Sequence, residues 1–160
     1  MIVDFNLLNQ NSRVWVFQST HSIDEKIIPV IKKKIIVFLD QWKSHQKDFK
    51  SSYLIKHNTF IIIAADESNL VSGCSIDTLV NFIKELEHTL NLQLLDKMYV
   101  KYIFENKIKT DHINDFKILC KNLKKNKKLI VFNNLIKNIF DLKTNWKVDV
   151  RDSWHKRYIP

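Results

Sequence analysis

Residues 59–66 read TFIIIAAD, a run that is apolar on both faces of any strand it forms. Side chains alternate across a strand, so Phe60, Ile62 and Ala64 share one face and Ile61, Ile63 and Ala65 the other. A strand with no polar face belongs in the middle of a sheet, covered above and below. The preceding SSYLIKH (Ser51–His57) reads as a second strand, joined to the first at Asn58-Thr59. That join lacks the glycine of the best hairpin turns, which leaves the turn type open.

Working outward, RVWVFQ (Arg13–Gln18) is a β-branched and aromatic run that reads as a buried strand. Between it and Ser51 lies THSIDEKIIPVIKKKIIVFLDQWKSH (Thr20–His45). Ser22 followed by Glu25 is a capping-box pattern. Ile27, Ile31, Ile35, Phe38 and Trp42 recur at helical spacing. Pro29 removes a backbone donor early in this helix, so the spacing predicts a kink or a helix regular only beyond it. Downstream, Ile76, Leu79, Val80, Phe82, Ile83, Leu86 and Leu90 define a second helix over about 76–90. KMYVKYIFE (Lys97–Glu105) alternates as a strand near a sheet edge.

The order β-α-β-β-α-β predicts an α+β fold with a ferredoxin-like core, a mainly antiparallel sheet carrying both helices on one face. The rest reads as a C-terminal α/β extension. Asp111 is placed to cap a helix carrying Ile113, Phe116, Leu119, Cys120 and Leu123, and KKLIVF (Lys127–Phe132) reads as a fifth strand. NNLIKNIFDLKTNW (133–146) fits a short helix or a loop, and VRDSWHKRYIP (150–160) an irregular, docked tail. One glycine and two prolines leave no room for a flexible linker, which predicts a single domain over 1–160.

The hydrophobic share is 45% and the net charge +9. All but Arg13, Arg151 and Arg157 of the 26 basic residues are lysine. Lys, Asn and Ile share A/T-rich codons, so codon bias accounts for the charge as well as an anionic partner does. No apolar run approaches the length of a membrane span, and the start MIVDFNLLNQNSRVW lacks the pattern of a secretory leader. Two distant cysteines, Cys74 and Cys120, suit a reducing, cytoplasmic setting. The histidines show no HExxH-type spacing, so neither a metal nor a cofactor is expected. One glycine cannot build GxxxxGK[ST], GxGxxG or GxSxG, which excludes P-loop nucleotide chemistry.

The lone glycine sits in DESNLVSGCSID (Asp66–Asp77), at the mouth of the second helix. Two readings share that geometry. Structurally, Gly73 supplies a positive φ or a close approach, Ser75 caps the helix, Asp77 complements its dipole and Cys74 packs as a small apolar side chain. Chemically, a helix N-terminus lowers the pKa of a thiol and offers N–H groups to anions. Cys74 then acts as nucleophile with His155 as base, Gly73, Ser75 and Arg157 bind an anion, and Asp66 and Glu67 shape the loop. This requires SWHKRY (Ser153–Tyr158) to fold back over that loop.

Three function classes follow. The first is an interaction or assembly module with a cleft between the 66–77 loop and the tail. The second is a thiol-dependent enzyme or small-anion-binding protein using Cys74 and His155. The third is an RNA- or ribosome-associated module, using Lys32, Lys33, Lys34, Lys121, Lys124, Lys125, Lys127 and Lys128.

The blocks RVWVFQS, FLDQWKSH, AADES, SGCSID, VFNNLI with a following Trp146, and SWHKRY together resemble a family of small bacterial proteins of about this length. Its members often carry the label "ABC transporter ATPase". The likeness runs in order along nearly the whole chain and implies no catalytic roles. The chain departs from that pattern in having Gln46, where a glycine commonly follows the helix-end histidine, and Pro29.

Overall fold

The computed structural model describes residues 1–44, 47–66 and 72–160. The fold is α+β with antiparallel sheets and four helices. Strands β1 (Arg13–Gln18), β2 (Ser51–Lys56) and β3 (Phe60–Ala65) form a first sheet in the order β1-β3-β2. Strands β4 (Tyr99–Phe104), β5 (Lys107–His112), β6 (Ile130–Phe132) and β7 (Lys147–Asp149) form a second, in the order β5-β4-β6-β7. Helices α1 (Ile28–Gln41) and α2 (Gly73–Leu90) belong to the first half of the chain, α3 (Ile113–Lys121) and α4 (Ile139–Thr144) to the second. Among the described residues no helix is long and apolar enough to cross a membrane.

The TFIIIAAD strand lies where its composition places it. Every residue of β3 is buried, and β3 pairs on both sides. Ile61, Ile63 and Ala65 pack with Ile31, Ile35, Leu39 and Trp42 of α1 and Leu79, Ile83 and Leu86 of α2. Phe60, Ile62 and Ala64 pack with Val14 and with Phe132, Ile136, Ile139, Leu142 and Trp146. Both early helices therefore cover one face, as expected, and the second half of the chain covers the other.

The expected fourth strand departs from its place. Instead of extending the first sheet at the β1 edge, β4 is hydrogen-bonded between β5 and β6, and is central in its own sheet. The reason is the tight β4–β5 hairpin. Glu105 and Asn106 both adopt left-handed φ (49° and 61°), as a two-residue type I′ turn requires. With β5 on one edge of β4 and β6 on the other along Tyr102–Ile103, that stretch of β4 has no edge left for β1. On one face of β4 and β5, Val100 and Tyr102 pack with Phe116 and Cys120 of α3; Ile103 and Ile108 face the first sheet.

Several local expectations are corrected. The Ser22–Glu25 box is not formed: Asp24 accepts from Lys26 N–H in a turn instead, and α1 starts at Ile28 with Pro29 in its first turn. Proline is tolerated there because that N–H has no helical acceptor, so the helix does begin next to its proline. In the β2–β3 turn His57 and Asn58 carry positive φ without any glycine (55° and 50°). His112, rather than Asp111, caps α3 through Nδ1. The 133–146 stretch contains the short α4, and 154–158 forms a turn of 3-10 helix docked with Phe116.

Candidate ligand cleft along the β1 edge

The separation of β4 from β1 leaves a cleft of about 990 Å³ between them. In the β1–β3 ladder, Val14 N–H is turned away from β3 and donates to the Lys137 carbonyl at 3.0 Å. Strand alternation then turns the backbone groups of Val16 and Gln18 to that same outer edge. Ile139 N–H donates to the Ser12 carbonyl, so the segment before α4 splices onto only the first part of β1. On the far wall, the pairing of β4 with β6 covers Ile103 and Tyr102, and Tyr99–Lys101 runs beyond it.

A chain of side chains bridges the gap. Gln18 Nε2 donates to the Tyr99 carbonyl at 2.8 Å, Asn134 Nδ2 donates to Gln18 Oε1 at 2.7 Å, and Trp146 Nε1 donates to Asn134 Oδ1 at 3.0 Å. Each amide thus accepts at one end and donates at the other. Gln18 stands in for a ladder hydrogen bond that the two strands are too far apart to make directly.

The cleft is walled by apolar side chains, among them Val14, Val16, Leu94, Leu95 and Ile136. Among the described residues its charged lining is Arg13, Lys97, Lys101, Lys137 and Arg157, with Asp96 as the acid. Arg13 stacks its guanidinium over Trp15, 4.9 Å from the ring centroid. Lys97, Lys137 and Arg157 are exposed.

Lys101 is different: it is 3% exposed. Its Nζ donates to Thr110 Oγ1 at 2.6 Å, across the β4–β5 pair. The neighbouring Asp111 belongs to the opposite face of the hairpin, where it accepts from the Tyr102 hydroxyl at 2.6 Å. A buried ammonium with one neutral acceptor and no carboxylate is strongly disfavoured, and burial pulls the Lys101 pKa down from 10.5 to about 8.

His155 also lines this cleft. It is buried, stacks on Trp154 at 3.9 Å, and has Ser153 Oγ 2.7 Å from its Nδ1. Burial lowers its pKa from 6.5 to about 4, so the ring is neutral at physiological pH. The ring packs against Phe116 and Trp154.

The other predicted site residues lie elsewhere. Cys74 is exposed in the first turn of α2 and does not line the cleft that His155 and Arg157 share. Ser72, not Ser75, caps α2 by accepting from Ser75 N–H. Ser75 is buried: its Oγ donates to the Lys43 carbonyl and its own carbonyl accepts from Trp42 Nε1 at 2.8 Å. The start of α2 is thereby tied to the end of α1, and its polar groups serve that junction. Gly73 has no positive φ, and among the described residues a Cβ built on it meets nothing within 4 Å, so neither reason given for a glycine is found there. Asp77 lies beyond the first turn of α2 and is exposed. Asp66 follows β3, its N–H bonded to the Lys50 carbonyl, and Glu67 lies outside the described residues.

No group of metal-ligating side chains occurs among the described residues. The lysine clusters fall on separate elements. Lys32, Lys33 and Lys34 are on α1, and Lys121 ends α3. Lys124, Lys125, Lys127 and Lys128 are in the connection to β6, which Arg151 holds by donating to the Lys124 and Lys127 carbonyls.

The chain matches no family model, no curated protein and no solved structure.

Proposed function

We propose that the protein is a binding module whose site is the β1–β4 cleft and whose ligand is anionic. The observation that carries this is the imbalance of the lining among the described residues: Lys97, Lys101, Lys137 and Arg157 against Asp96. Like charges gathered around one concavity repel each other, and an anion relieves that repulsion while low-dielectric walls strengthen its attraction. The apolar walls and pre-formed shape are those of a ligand site. In the ferredoxin-like reading of the first six elements, the cleft occupies the seam that the fourth strand would otherwise close.

On this reading the site lies between β1 and β4, with His155 and Arg157 of the tail in its lining. Thiol chemistry is no part of the proposal, because Cys74 lies outside the lining that holds His155. Nor is transport ATPase activity, for which the chain has no phosphate-binding loop. The likeness to the bacterial family stands as a proposal about kinship, and two free cysteines support a reducing compartment.

The test is a backbone-amide chemical-shift titration with citrate, against the double variant Lys137→Glu/Arg157→Glu. Both side chains are exposed, so the fold should survive. We expect shifts concentrated at 13–18, 95–101 and 134–138, and at least a fivefold weaker affinity in the variant. Shifts scattered over the surface lysines, or an unchanged affinity, would refute the reading.

A further inference from the structure

We infer that the cleft takes a monoanionic organic acid with an apolar body, its charged head meeting the buried Lys101 and its body lying against Val14, Val16, Leu94 and Ile136. This rests on the reading of the cleft as an anion site and specifies the ligand.

Two independent features combine. The first is Lys101. It is more than nine-tenths buried, lines the cleft and is offered one hydroxyl for its three donors, Thr110 Oγ1 at 2.6 Å. No carboxylate neutralises it: Asp111 is committed to Tyr102 on the other face of the hairpin, and the ion pairs among the described residues are Lys43–Asp48 and Arg151–Asp149. A charge so placed gains most from a ligand that brings the missing counter-charge. Its reduced affinity for a proton has the same origin, removal from water without compensation.

The second feature is the character of the walls. Val14 belongs to the hydrophobic cluster that also holds Phe60, Ile62 and Ile136, and Val16 packs against it; Leu94 belongs to the cluster on the helical side. A fully hydrated phosphate or polyanion would leave these walls wet. An aliphatic or aromatic acid covers them and brings one charge to Lys101. The exposed Lys97, Lys137 and Arg157 stand at the mouth, where they attract anions without discriminating between them.

Calorimetric titration with octanoate, octanol and inorganic phosphate tests this, on the full chain and on Lys101→Met and Lys101→Gln. Methionine keeps the stem and drops the charge; glutamine retains a donor for Thr110 if methionine disturbs folding. We expect octanoate to bind at least tenfold more tightly than octanol, and both variants to lose at least tenfold in octanoate affinity. Octanoate binding that is indifferent to Lys101, or weaker than phosphate binding, overturns the inference yet leaves a basic anion site. Failure of octanoate and phosphate alike, with citrate inert in the titration above, overturns both.

Discussion

Lys101 and His155 are the two buried bases of the structure's second half, and their energetics run in the same direction for one reason. Each is a cation when protonated, and each has lost water without gaining an acid. For His155 the folded pKa of about 4 lies below the ordinary 6.5, so the unfolded chain binds the extra proton first. Stability is therefore complete above pH 6.5 and is lost as pH falls toward 4, by about 3 kcal/mol in total. His57, whose pKa is also lowered by burial and by Lys147 and Lys56, acts in the same direction. Urea unfolding at pH 7.0, 5.5 and 4.5 should show this decline, and His155→Phe should flatten it while costing about 1 kcal/mol at pH 7 through the lost Ser153 bond. A variant that declines as steeply as the parent would show that His155 does not titrate this way. For Lys101 the depressed pKa means that stability is highest above pH 10.5 and falls through the window down to about 8. At neutral pH its charge costs about 3 kcal/mol. Lys101→Met should then raise the urea midpoint in the absence of ligand, by on the order of 1 to 3 kcal/mol in stability. A drop in stability would mean that the lysine is structurally satisfied, and would remove the argument for an absent anion.

The elements that sequence made legible are those whose signal is local periodicity. Arg13–Gln18, the β3 core and the buried stripes of α1 and α2 all depend on which residues face inward, and alternation or a 3.6-residue repeat reports that directly. The β4–β5 hairpin was less legible. Lys107–His112 alternates Lys, Ile, Lys, Thr, Asp, His, a weak strand pattern, and its turn at Glu105-Asn106 lacks glycine. The helix α2 shows the limit of reasoning from residue type at a boundary. Ser72 and Ser75 both have the chemistry of a cap, and what separates them is that Ser75 is drawn inward to the Lys43 carbonyl. The glycine between them is the first residue of α2 and is exposed. Because its φ is not left-handed and its Cβ space is open, Gly73→Ala should stabilise the chain by about 0.5 to 1 kcal/mol through the unfolded state and helix propensity. Ser72→Ala should cost about 1 kcal/mol by removing the cap. Paired thermal melts decide both; if alanine at 73 destabilises, the glycine answers to a contact that the described residues do not include.

At the scale of the molecule, the candidate site exists because two sheets fail to become one. The first half of the chain builds β1-β3-β2 and leaves the outer β1 edge unclosed; the second half commits β4 to its own hairpin. No short motif encodes that outcome, which explains why the cleft was illegible while its parts were not. Lys101 read as a member of an alternating strand, Gln18 as the last residue of RVWVFQ, and Asn134 as part of a stretch that fits a helix or a loop. Their roles arise from a seam between residues 81 and 116 positions apart in sequence. The seam is tied at one end by 137–139 on β1 and at the other by the Gln18–Asn134–Trp146 amide chain. The middle, at Val16, has only the cleft beside it. Such a joint opens more easily than the ladders flanking it, because one side-chain amide carries what a strand pair distributes over several bonds. Gln18→Ala removes the tie and strands Asn134 Nδ2 and the Tyr99 carbonyl, at a cost of about 1 to 3 kcal/mol. Gln18→Glu should be no milder: a carboxylate still accepts from Asn134 but sets its second oxygen against the Tyr99 carbonyl. In both variants, amide exchange should quicken at Val16 and Tyr99–Lys101 well before it does in the β2–β3 ladder, and octanoate should slow it again in the alanine variant. Exchange that rises evenly across both sheets would mean that they unfold as one unit, with no separable seam for a ligand to close.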